Sequence, residues 1–346
     1  MAHKLVVSIR NITDEQWQFI AKTAEELNWT AEFYENIEDA LAASKDAEAV
    51  FADTPEFVRY APVLKWMTSP SAGVNHFTRS EDFMKSGVML SNSSGAYGLT
   101  ISEHIVMAIL TMLRRLPEYQ AVIADRQWTR NLTIKSIKNS RITLLGTGDI
   151  GCETAKKLRG FEPAKITGVN TSGRAPNDTA RDRTASAAGK ADASASRDHT
   201  PEGKLFDDIR SIGELDEILK ATDILVMSLP ATDKTYHIMN ETRLAGLPDG
   251  ALIVNVGRGS CIDQTELIRQ LKAGRLRAAL DVFETEPIPE DSELWECPNL
   301  LITPHVAGDM YLPYTVERIV ELFVEDFRRY AAGEKPARLV DLNKGY

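Results

Sequence analysis

Arg141-Ile-Thr-Leu-Leu-Gly-Thr-Gly-Asp-Ile-Gly151 is an apolar strand that breaks into three glycines at the spacing G-x-G-x-x-G. A helical pattern follows at residues 152–158. In this arrangement the first glycine turns the chain out of the strand, the second lets the backbone approach a pyrophosphate, and the third lets helix and strand pack closely. The N–H groups of the first helical turn then face the anion. Taken alone, the loop is as compatible with an ordinary tight turn as with a dinucleotide site.

The same strand opens a series of six apolar runs that are separated mostly by helical patterns. These runs are residues 142–145, 165–170, 224–229, 251–256, 277–283 and 300–303. Six strands connected mainly by helices predict a doubly wound parallel sheet of the Rossmann type, to which dinucleotides bind.

The first hundred residues show a second alternation of strands and helices. Short apolar runs at 4–9, 47–52, 63–68 and 88–92 alternate with amphipathic helical segments such as 14–27 and 37–43. This pattern predicts another parallel sheet covered by helices. A long, mostly apolar helix follows at 100–116, and a last helical pattern at 316–330 is a candidate to pack back on this first part. We therefore expect an α/β protein of two domains, a Rossmann doubly wound parallel sheet and a smaller flavodoxin-like domain.

One segment interrupts the series that starts at Arg141. Residues 171–204 contain no Val, Ile, Leu, Met, Phe, Tyr or Trp. Such a segment cannot bury a core, so we expect a mobile surface insertion. It begins directly after the second strand of the nucleotide-binding sheet, where the adenosine ribose is recognised.

Composition narrows the classes of partner. The chain has 346 residues, with 40 Lys+Arg against 50 Asp+Glu and a formal net charge of -10, and no basic run stands out, which disfavours nucleic acid. Cys152, Cys261 and Cys297 lie far apart, so we expect no disulfide and no metal site, only small buried side chains. No signal peptide is recognisable and no apolar stretch approaches the roughly 20 residues of a membrane span. A cytoplasmic protein without a membrane or nucleic-acid partner is expected.

Three polar side chains follow strands of the predicted nucleotide-binding sheet: Arg258, Glu286 and His305. Ligands bind at this edge of open α/β sheets. A guanidinium can pair with the carboxylate and carbonyl oxygens of a 2-oxo acid, an imidazole can transfer the proton, and a carboxylate beside the ring orients it and favours its charged form. Each residue alone also fits an ordinary turn arginine, surface acid or strand-end histidine. Together with the glycine loop they favour a hydride-transfer site.

Five motifs in order carry a family resemblance. They are Leu145-Gly-Thr-Gly-Asp-Ile-Gly151, Ser228-Leu-Pro-Ala-Thr-Asp-Lys-Thr-Tyr-His237, Asn255-Val-Gly-Arg-Gly-Ser260, Ala279-Leu-Asp-Val-Phe283 with Glu286-Pro287, and Thr303-Pro-His-Val-Ala-Gly308. Their order and spacing resemble the NAD(P)-dependent D-2-hydroxyacid dehydrogenase family, which includes glyoxylate and hydroxypyruvate reductases. The resemblance extends over nearly the whole chain, since Ser69-Pro-Ser-Ala-Gly-Val-Asn75 looks like the family's substrate-carboxylate loop.

The resemblance implies roles for individual residues. Arg258 would bind the substrate carboxylate and polarise the C2 carbonyl, and His305 would exchange the proton while paired with Glu286. Backbone N–H groups at Ala72 and Gly73 would hold the carboxylate from the other domain. The residues implied to bind the cofactor are Gly146, Thr147, Gly148, Asp149, Ile150, Gly151, Thr171, Ser172, Arg174, Pro230, Thr235, Val256, Asp281 and Gly308, with Asp281 on the nicotinamide carboxamide.

The resemblance also implies an organisation for the chain. Residues 1–100, completed by 306–346, would form the substrate domain, and 101–305 the dinucleotide-binding domain with its polar insertion at 171–204. The reaction implied is hydride transfer between a nicotinamide cofactor and C2 of a small 2-oxo or D-2-hydroxy acid. A homodimer is the family expectation.

The end of the second strand departs from the pattern of NAD enzymes. An Asp or Glu there would hold the ribose hydroxyls of NAD, but this chain has Gly168-Val-Asn-Thr-Ser-Gly-Arg174. Without that carboxylate a 2′-phosphate is not repelled, and Arg174 with the hydroxyls of Thr171 and Ser172 can bind one. We therefore expect NADP(H) to be preferred over NAD(H).

Other functions remain open on the same scaffold. Formate enzymes of the family carry an amide where this chain has Glu286, which counts against formate. A phosphorylated hydroxy acid is disfavoured by the absence of an Arg or Lys cluster in the carboxylate loop. A cofactor-sensing protein akin to the transcriptional corepressors that resemble this family is a third alternative, and the complete catalytic set disfavours it.

Overall fold

The computed structural model describes residues 3–175 and 204–345. These residues form two compact units, one of 3–97 with 309–345 and the other of 98–175 with 204–308. The predicted insertion at 171–204 therefore lies outside the described residues, apart from 171–175 and Lys204.

Twelve strands and twelve helices make up the described part of the chain. The strands are β1 (His3–Ser8), β2 (Trp29–Phe33), β3 (Ala49–Ala52), β4 (Trp66–Thr68), β5 (Met89–Ser91), β6 (Arg141–Leu145), β7 (Lys165–Asn170), β8 (Asp208–Ser211), β9 (Ile224–Met227), β10 (Leu252–Asn255), β11 (Arg277–Leu280) and β12 (Leu300–Ile302). The helices are α1 (Asp14–Glu26), α2 (Ile37–Ala43), α3 (Phe57–Tyr60), α4 (Asn75–Thr78), α5 (Glu81–Ser86), α6 (Gly98–Leu113), α7 (Leu116–Ala124), α8 (Asp149–Arg159), α9 (Leu215–Leu219), α10 (Glu241–Gly246), α11 (Gln264–Lys272) and α12 (Pro313–Ala331).

The first unit is built on a five-stranded sheet in the order β2-β1-β3-β4-β5. All pairs are parallel, and this order is that of flavodoxin-like sheets. The interior strand β3 is buried along its whole length, because helices cover both faces of a parallel sheet. The sequence prediction missed β2, whose run Trp-Thr-Ala-Glu-Phe pairs with β1 alone at the edge of the sheet and is half polar.

The last helix, α12, packs on the sheet of the first unit through its aromatic side chains. The ring of Phe323 stacks on Phe51 at a centroid distance of 4.2 Å and lies nearly parallel to Trp66 at 5.9 Å. Phe327 of the same helix is fully buried. Aromatic burial of this size explains why the chain returns to the first unit after the last strand of the second.

The second unit contains a seven-stranded parallel sheet in the order β12-β11-β10-β9-β6-β7-β8. The chain runs outward from β6 to β8 and then returns to β9 on the other side of β6, which creates the switch point where ligands bind in doubly wound sheets. The sequence predicted six strands for this sheet, and the structure has seven. The missing strand β8 has the sequence Asp-Ile-Arg-Ser and lies at the sheet edge, so its charged side chains reach solvent and hide the strand pattern.

Helix α6 extends over Gly98–Leu113, so it begins two residues before the predicted 100–116 and ends three residues before it. It ends because Arg115 adopts a left-handed backbone with φ of 57°, after which α7 begins. Within residues 3–175 and 204–345, none of the helices combines the length and apolarity needed to traverse a bilayer. The three cysteines are free; Cys261 and Cys297 are buried as expected, and Cys152 is half-buried.

Candidate active site

The glycine loop joins β6 to α8 with three glycines in different surroundings. Gly146 has a φ of 113°, and a Cβ there would lie 2.7 Å from the Ser228 Oγ. A Cβ on Gly151 would lie 2.1 Å from the Gly146 carbonyl oxygen, so helix and strand touch at this point. At Gly148, the N-cap of α8, a Cβ would meet no heavy atom within 4 Å.

This loop fits the pyrophosphate of a dinucleotide. Open space lies over the middle glycine only, at the N-terminus of an 11-residue helix whose first-turn N–H groups favour an anion. Asp149 and Ile150 form the start of that helix, and Thr147 is buried beside it. The residues predicted from the glycine spacing therefore form one cradle.

Asn170, the last residue of β7, organises the turn that follows. Its Oδ1 accepts hydrogen bonds from the N–H groups of Ser172 (3.1 Å) and Gly173 (2.7 Å). Its Nδ2 donates to the Arg174 carbonyl (2.8 Å) and to the Thr147 Oγ1 (2.9 Å) in the glycine loop. The amide thus ties the residues predicted to meet the cofactor ribose to those predicted to meet its phosphates.

Arg258 follows β10 in an extended conformation and precedes a short 3₁₀ turn, Gly259–Cys261. Its Nη1 donates to the Gly257 carbonyl at 2.7 Å. Asn255, which is buried, shapes the loop by donating to the Arg258 carbonyl (2.9 Å) and accepting from the Gly257 N–H (3.1 Å). A Cβ on Gly259 would lie 1.9 Å from the Phe283 carbonyl carbon, so only glycine fits there.

His305 and Glu286 form a close pair. The His305 Nδ1 lies 2.7 Å from the Glu286 Oε2, and 52% of the histidine side chain is exposed. The other oxygen, Oε1, accepts the N–H of Phe283 at 2.8 Å, which fixes the carboxylate on its own loop. The backbone of His305 adopts a left-handed φ of 56°.

The three predicted catalytic residues lie on contiguous loops. They follow β10, β11 and β12, which are neighbours in the sheet and parallel, so their carboxyl ends share one edge. Gly259 packs on Phe283, Phe283 donates to Glu286, and Glu286 contacts His305. The carboxylate–imidazole pair and the loop that carries the Arg258 guanidinium therefore lie at one edge of the sheet. An acid–base site for a carboxylate substrate needs these three groups.

Asp281 is 2% exposed and holds the loop that carries His305. Its Oδ1 accepts from the Thr303 hydroxyl (2.6 Å) and the Val306 N–H (3.0 Å), and its Oδ2 accepts from the Ala307 N–H (2.9 Å). A carboxylate offers about four acceptor positions, which leaves Oδ2 capacity for one further donor. Gly308, the last residue of the unit, follows this loop and is half-buried.

The hydroxyl of Thr235 holds the loop after β9 together through hydrogen bonds. The Thr235 Oγ1 donates to the Pro230 carbonyl at 2.7 Å and accepts the N–H of Thr232 at 2.8 Å. Val256 is buried and donates its N–H to Met227 at the end of β9. These predicted cofactor residues therefore lie at the same sheet edge as Arg258.

Two histidines of this unit were not predicted as site residues. The His237 Nε2 lies 2.6 Å from the Glu284 Oε1, which joins the loop after β9 to the loop after β11. His104 of α6 lies under the His305 loop, with its Nε2 3.3 Å from the Thr303 Oγ1. A single histidine inside an apolar helix carries no local signal, so only the packing reveals it.

Ala72 and Gly73 belong to the first unit, in a loop between β4 and α4. Asn92 Nδ2 donates to the Ala72 carbonyl at 2.7 Å, and the buried Tyr97 hydroxyl donates to the Pro70 carbonyl at 2.8 Å. Burial raises the pKa of Tyr97 well above its ordinary value, so the hydroxyl stays a donor. The backbone of the loop is thereby held at two carbonyls.

Asp53 anchors the same loop from the end of β3. It accepts hydrogen bonds from the hydroxyls of Ser69 and Ser71 (2.7 Å for Ser71), and its Oδ1 lies 3.1 Å from the His76 Nε2. Burial would raise the pKa of Asp53, but the bonds from His76, Ser69 and Ser71 outweigh it and lower the pKa. The carboxylate is therefore ionised at neutral pH.

Comparison with known proteins identifies the family. A family model described as "D-isomer specific 2-hydroxyacid dehydrogenase, NAD binding domain" matches residues 106–198 and 192–307, more than half of the chain. A glyoxylate reductase of Thermofilum pendens is 30% identical over 295 residues, which cover 83% of this chain and 77% of that protein.

Solved structures agree with the family match. A D-isomer specific 2-hydroxyacid dehydrogenase family protein from Aeromonas salmonicida is 28% identical, with a TM-score of 0.79 over 99% of this chain and 100% of that one. A D-isomer specific 2-hydroxyacid dehydrogenase from Xanthobacter autotrophicus, solved in complex with NADPH and MES, is 25% identical, with a TM-score of 0.76 and full coverage of both chains. This chain therefore belongs to the D-isomer specific 2-hydroxyacid dehydrogenase family and is an NAD(P)-dependent oxidoreductase.

Proposed function

We propose that this protein reduces a small 2-oxo acid to the D-2-hydroxy acid and prefers NADPH as the reductant. The observation that carries the proposal is the 2.7 Å contact between His305 and Glu286, on loops contiguous with that of Arg258. An acid–base pair and a guanidinium on adjoining loops suit a substrate with a carboxylate next to a carbonyl.

The roles of the residues follow from this contact. With Nδ1 of His305 donating to Glu286, the Nε2 proton is the one available to the carbonyl oxygen of the substrate. Arg258 pairs with the substrate carboxylate, as the N–H groups of Ala72 and Gly73 are also predicted to do. The nicotinamide, when bound, supplies the hydride to C2. In the reverse direction the same Nε2 takes the proton back.

The preference for NADPH rests on the turn after β7. Asn170 takes the position of the acid that would bind the ribose hydroxyls, and its amide is occupied by the backbone of residues 172–174 and by Thr147. Thr171, Ser172 and Arg174 are exposed on this turn, so the Thr171 hydroxyl and the Arg174 guanidinium are available to a 2′-phosphate. The Ser172 hydroxyl also donates to the Asn170 Oδ1 at 3.3 Å and would exchange that bond for one to the phosphate. No carboxylate of the turn opposes that phosphate.

Replacing Arg174 tests this preference. We expect Arg174→Ala to lower kcat/KM for NADPH about 10- to 100-fold, because a charge-assisted bond to phosphate is lost, and to leave kcat/KM for NADH nearly unchanged. Lys165→Ala, at the opposite end of the same strand, is the control and should change neither value. A wild-type preference for NADH that Arg174→Ala leaves intact would refute the proposal.

The substrate is proposed to be small, of the glyoxylate or hydroxypyruvate kind that the printed name of the Thermofilum relative suggests. Glu286 rather than an amide beside His305 disfavours formate as substrate. The test is a panel of 2-oxo acids, from glyoxylate to phenylpyruvate, assayed with NADPH and NADH. Tight NADPH binding without oxidation by any of them would instead favour a cofactor-sensing protein.

We also propose that the protein is a homodimer and that it is cytoplasmic. Large exposed apolar side chains cluster within residues 107–134, among them Trp128 (86% exposed) and Ile123 (57% exposed). Such side chains on one segment are typical of a surface covered by a second copy. Three free cysteines are consistent with a reducing compartment.

A further inference from the structure

His104 is a half-buried group that the mechanism above does not use. It lies in α6 with 13% of its side chain exposed, 3.3 Å through Nε2 from the Thr303 Oγ1 and 4.0 Å from the Asp281 Oδ1. Burial lowers the pKa of His104, although the nearby Asp281 carboxylate opposes this. The ring is therefore neutral at pH 7 and has one N–H to donate.

The hydrogen bonds around His104 have one consistent direction. Asp281 can only accept, so the Thr303 hydroxyl donates to it at 2.6 Å. The Thr303 oxygen is then an acceptor for the N–H of His104. The same carboxylate accepts the N–H groups of Val306 and Ala307, the two residues after His305. A chain of donors thus leads from α6 to the loop of the proton donor.

His305 needs such a support because its backbone is left-handed. A non-glycine residue at φ of 56° is in a strained conformation, which persists only where its neighbours hold it. Val306 and Ala307 hold it only while the Asp281 carboxylate keeps its orientation, and Thr303 and His104 set that orientation. A shift of about 1 Å in a reacting group can cost a factor of about 100 in rate.

We propose that His104 is a positioning residue, which holds His305 in place for proton transfer through Thr303 and Asp281. The proposal rests on the proposed role of His305. It adds that α6, which precedes these strands by well over a hundred residues in the chain, helps to set the geometry of the acid–base group.

Paired substitutions separate the hydrogen bond from the volume of the side chain. His104→Met removes the donor and His104→Gln keeps one at the Nε2 position, while Thr303→Val removes the hydroxyl and Thr303→Ser keeps it. We expect His104→Met and Thr303→Val each to lower kcat about 10-fold. The Gln and Ser variants should stay within about 3-fold of wild type, and the double variant His104→Met/Thr303→Val should lose no more than either single change.

Ile109→Val serves as a control for packing, and amide hydrogen exchange serves as a second measurement. Ile109→Val trims a fully buried side chain of the same helix and should lower Tm without lowering kcat. Amide hydrogen exchange at Val306 and Ala307 in the cofactor-free protein should accelerate about 10-fold or more in His104→Met and Thr303→Val, but not in Ile109→Val.

The outcomes distinguish this proposal from the proposed function. Wild-type kcat in both donor-removing variants, equal damage in His104→Gln and His104→Met, or unchanged exchange at Val306 and Ala307 would each overturn it. If the wild-type protein turns over none of the 2-oxo acids, the proposed function fails, and the exchange rates alone still decide whether His104 supports the loop.

Discussion

His305 has a natural counterpart in this chain for testing its role. His3 is also 52% exposed and its Nδ1 also contacts a glutamate, Glu48, at 2.8 Å. We expect His305→Asn to lower kcat about 100- to 10,000-fold because the proton donor is lost, while the fold persists because Asn tolerates a left-handed backbone. His3→Asn should leave kcat unchanged. Steady-state kinetics compare the activities of the two variants, and thermal unfolding compares their stabilities. Near-normal turnover of His305→Asn would show that His305 is not the proton donor.

Asp53 is expected to make the first unit sensitive to acid. Because its folded pKa lies below the ordinary value of 3.8, its stabilising effect is complete above that value and is lost as pH falls below it through the folded pKa. Asp53→Asn should therefore lower the free energy of unfolding at pH 6 and flatten the decline of that free energy below about pH 4. Urea unfolding at each pH measures this. Asp291→Asn, on an exposed loop, is the control, and an equal decline in Asp53→Asn and wild type would contradict the assignment.

Substitutions at two glycines of the glycine loop are expected to have opposite consequences. Gly148→Val places methyl groups in open space, so we expect Tm to stay within a few degrees while the affinity for NADPH falls at least about 10-fold. Gly151→Ala forces a methyl group against the Gly146 carbonyl and should destabilise the protein by about 1–3 kcal/mol or more. Thermal unfolding and titration of NADPH fluorescence separate the two effects. A destabilised Gly148→Val with normal NADPH affinity would show that the loop is structural only.

Strands differ in how well their own residues predict them. The interior strands β3, β9 and β10 are buried on both faces, so each is a continuous apolar run that the sequence reveals. The edge strands β2 and β8 have one neighbour each and carry polar or charged side chains, so they lack that pattern. Their pairing depends on the register of β1 and β7, which is a property of the assembled sheet.

The exposed apolar segment at 107–134 makes a prediction for the assembled protein. Trp128→Glu should raise the dissociation constant of a homodimer at least about 30-fold, since removal of a central interface aromatic costs 2 kcal/mol or more. Trp295→Glu, an exposed tryptophan outside the segment, should leave it unchanged. Sedimentation equilibrium measures both constants. A wild-type protein that is monomeric at micromolar concentration would rule out the dimer.

Much of the site follows from short-range rules that the sequence carries. The spacing of Gly146, Gly148 and Gly151 reflects local sterics, so it predicted the tight turn and the close packing of strand and helix that the structure contains. Binding of the cofactor there stays a prediction. Arg258, Glu286 and His305 were predicted because each follows a recognisable strand, and parallel neighbours bring their ends to one edge. Their catalytic roles stay predictions until the kinetic experiments are done.

Other features depend on contacts between residues far apart in the chain. His104 lies 199 positions from Thr303, and Asn170 lies 23 from Thr147; neither pairing has a local signal. The left-handed backbone of His305 likewise depends on Asp281, which belongs to a different strand end. Periodicity and glycine spacing are set by each residue's near neighbours and can be read from sequence, whereas hydrogen-bond networks exist only once the sheet has assembled.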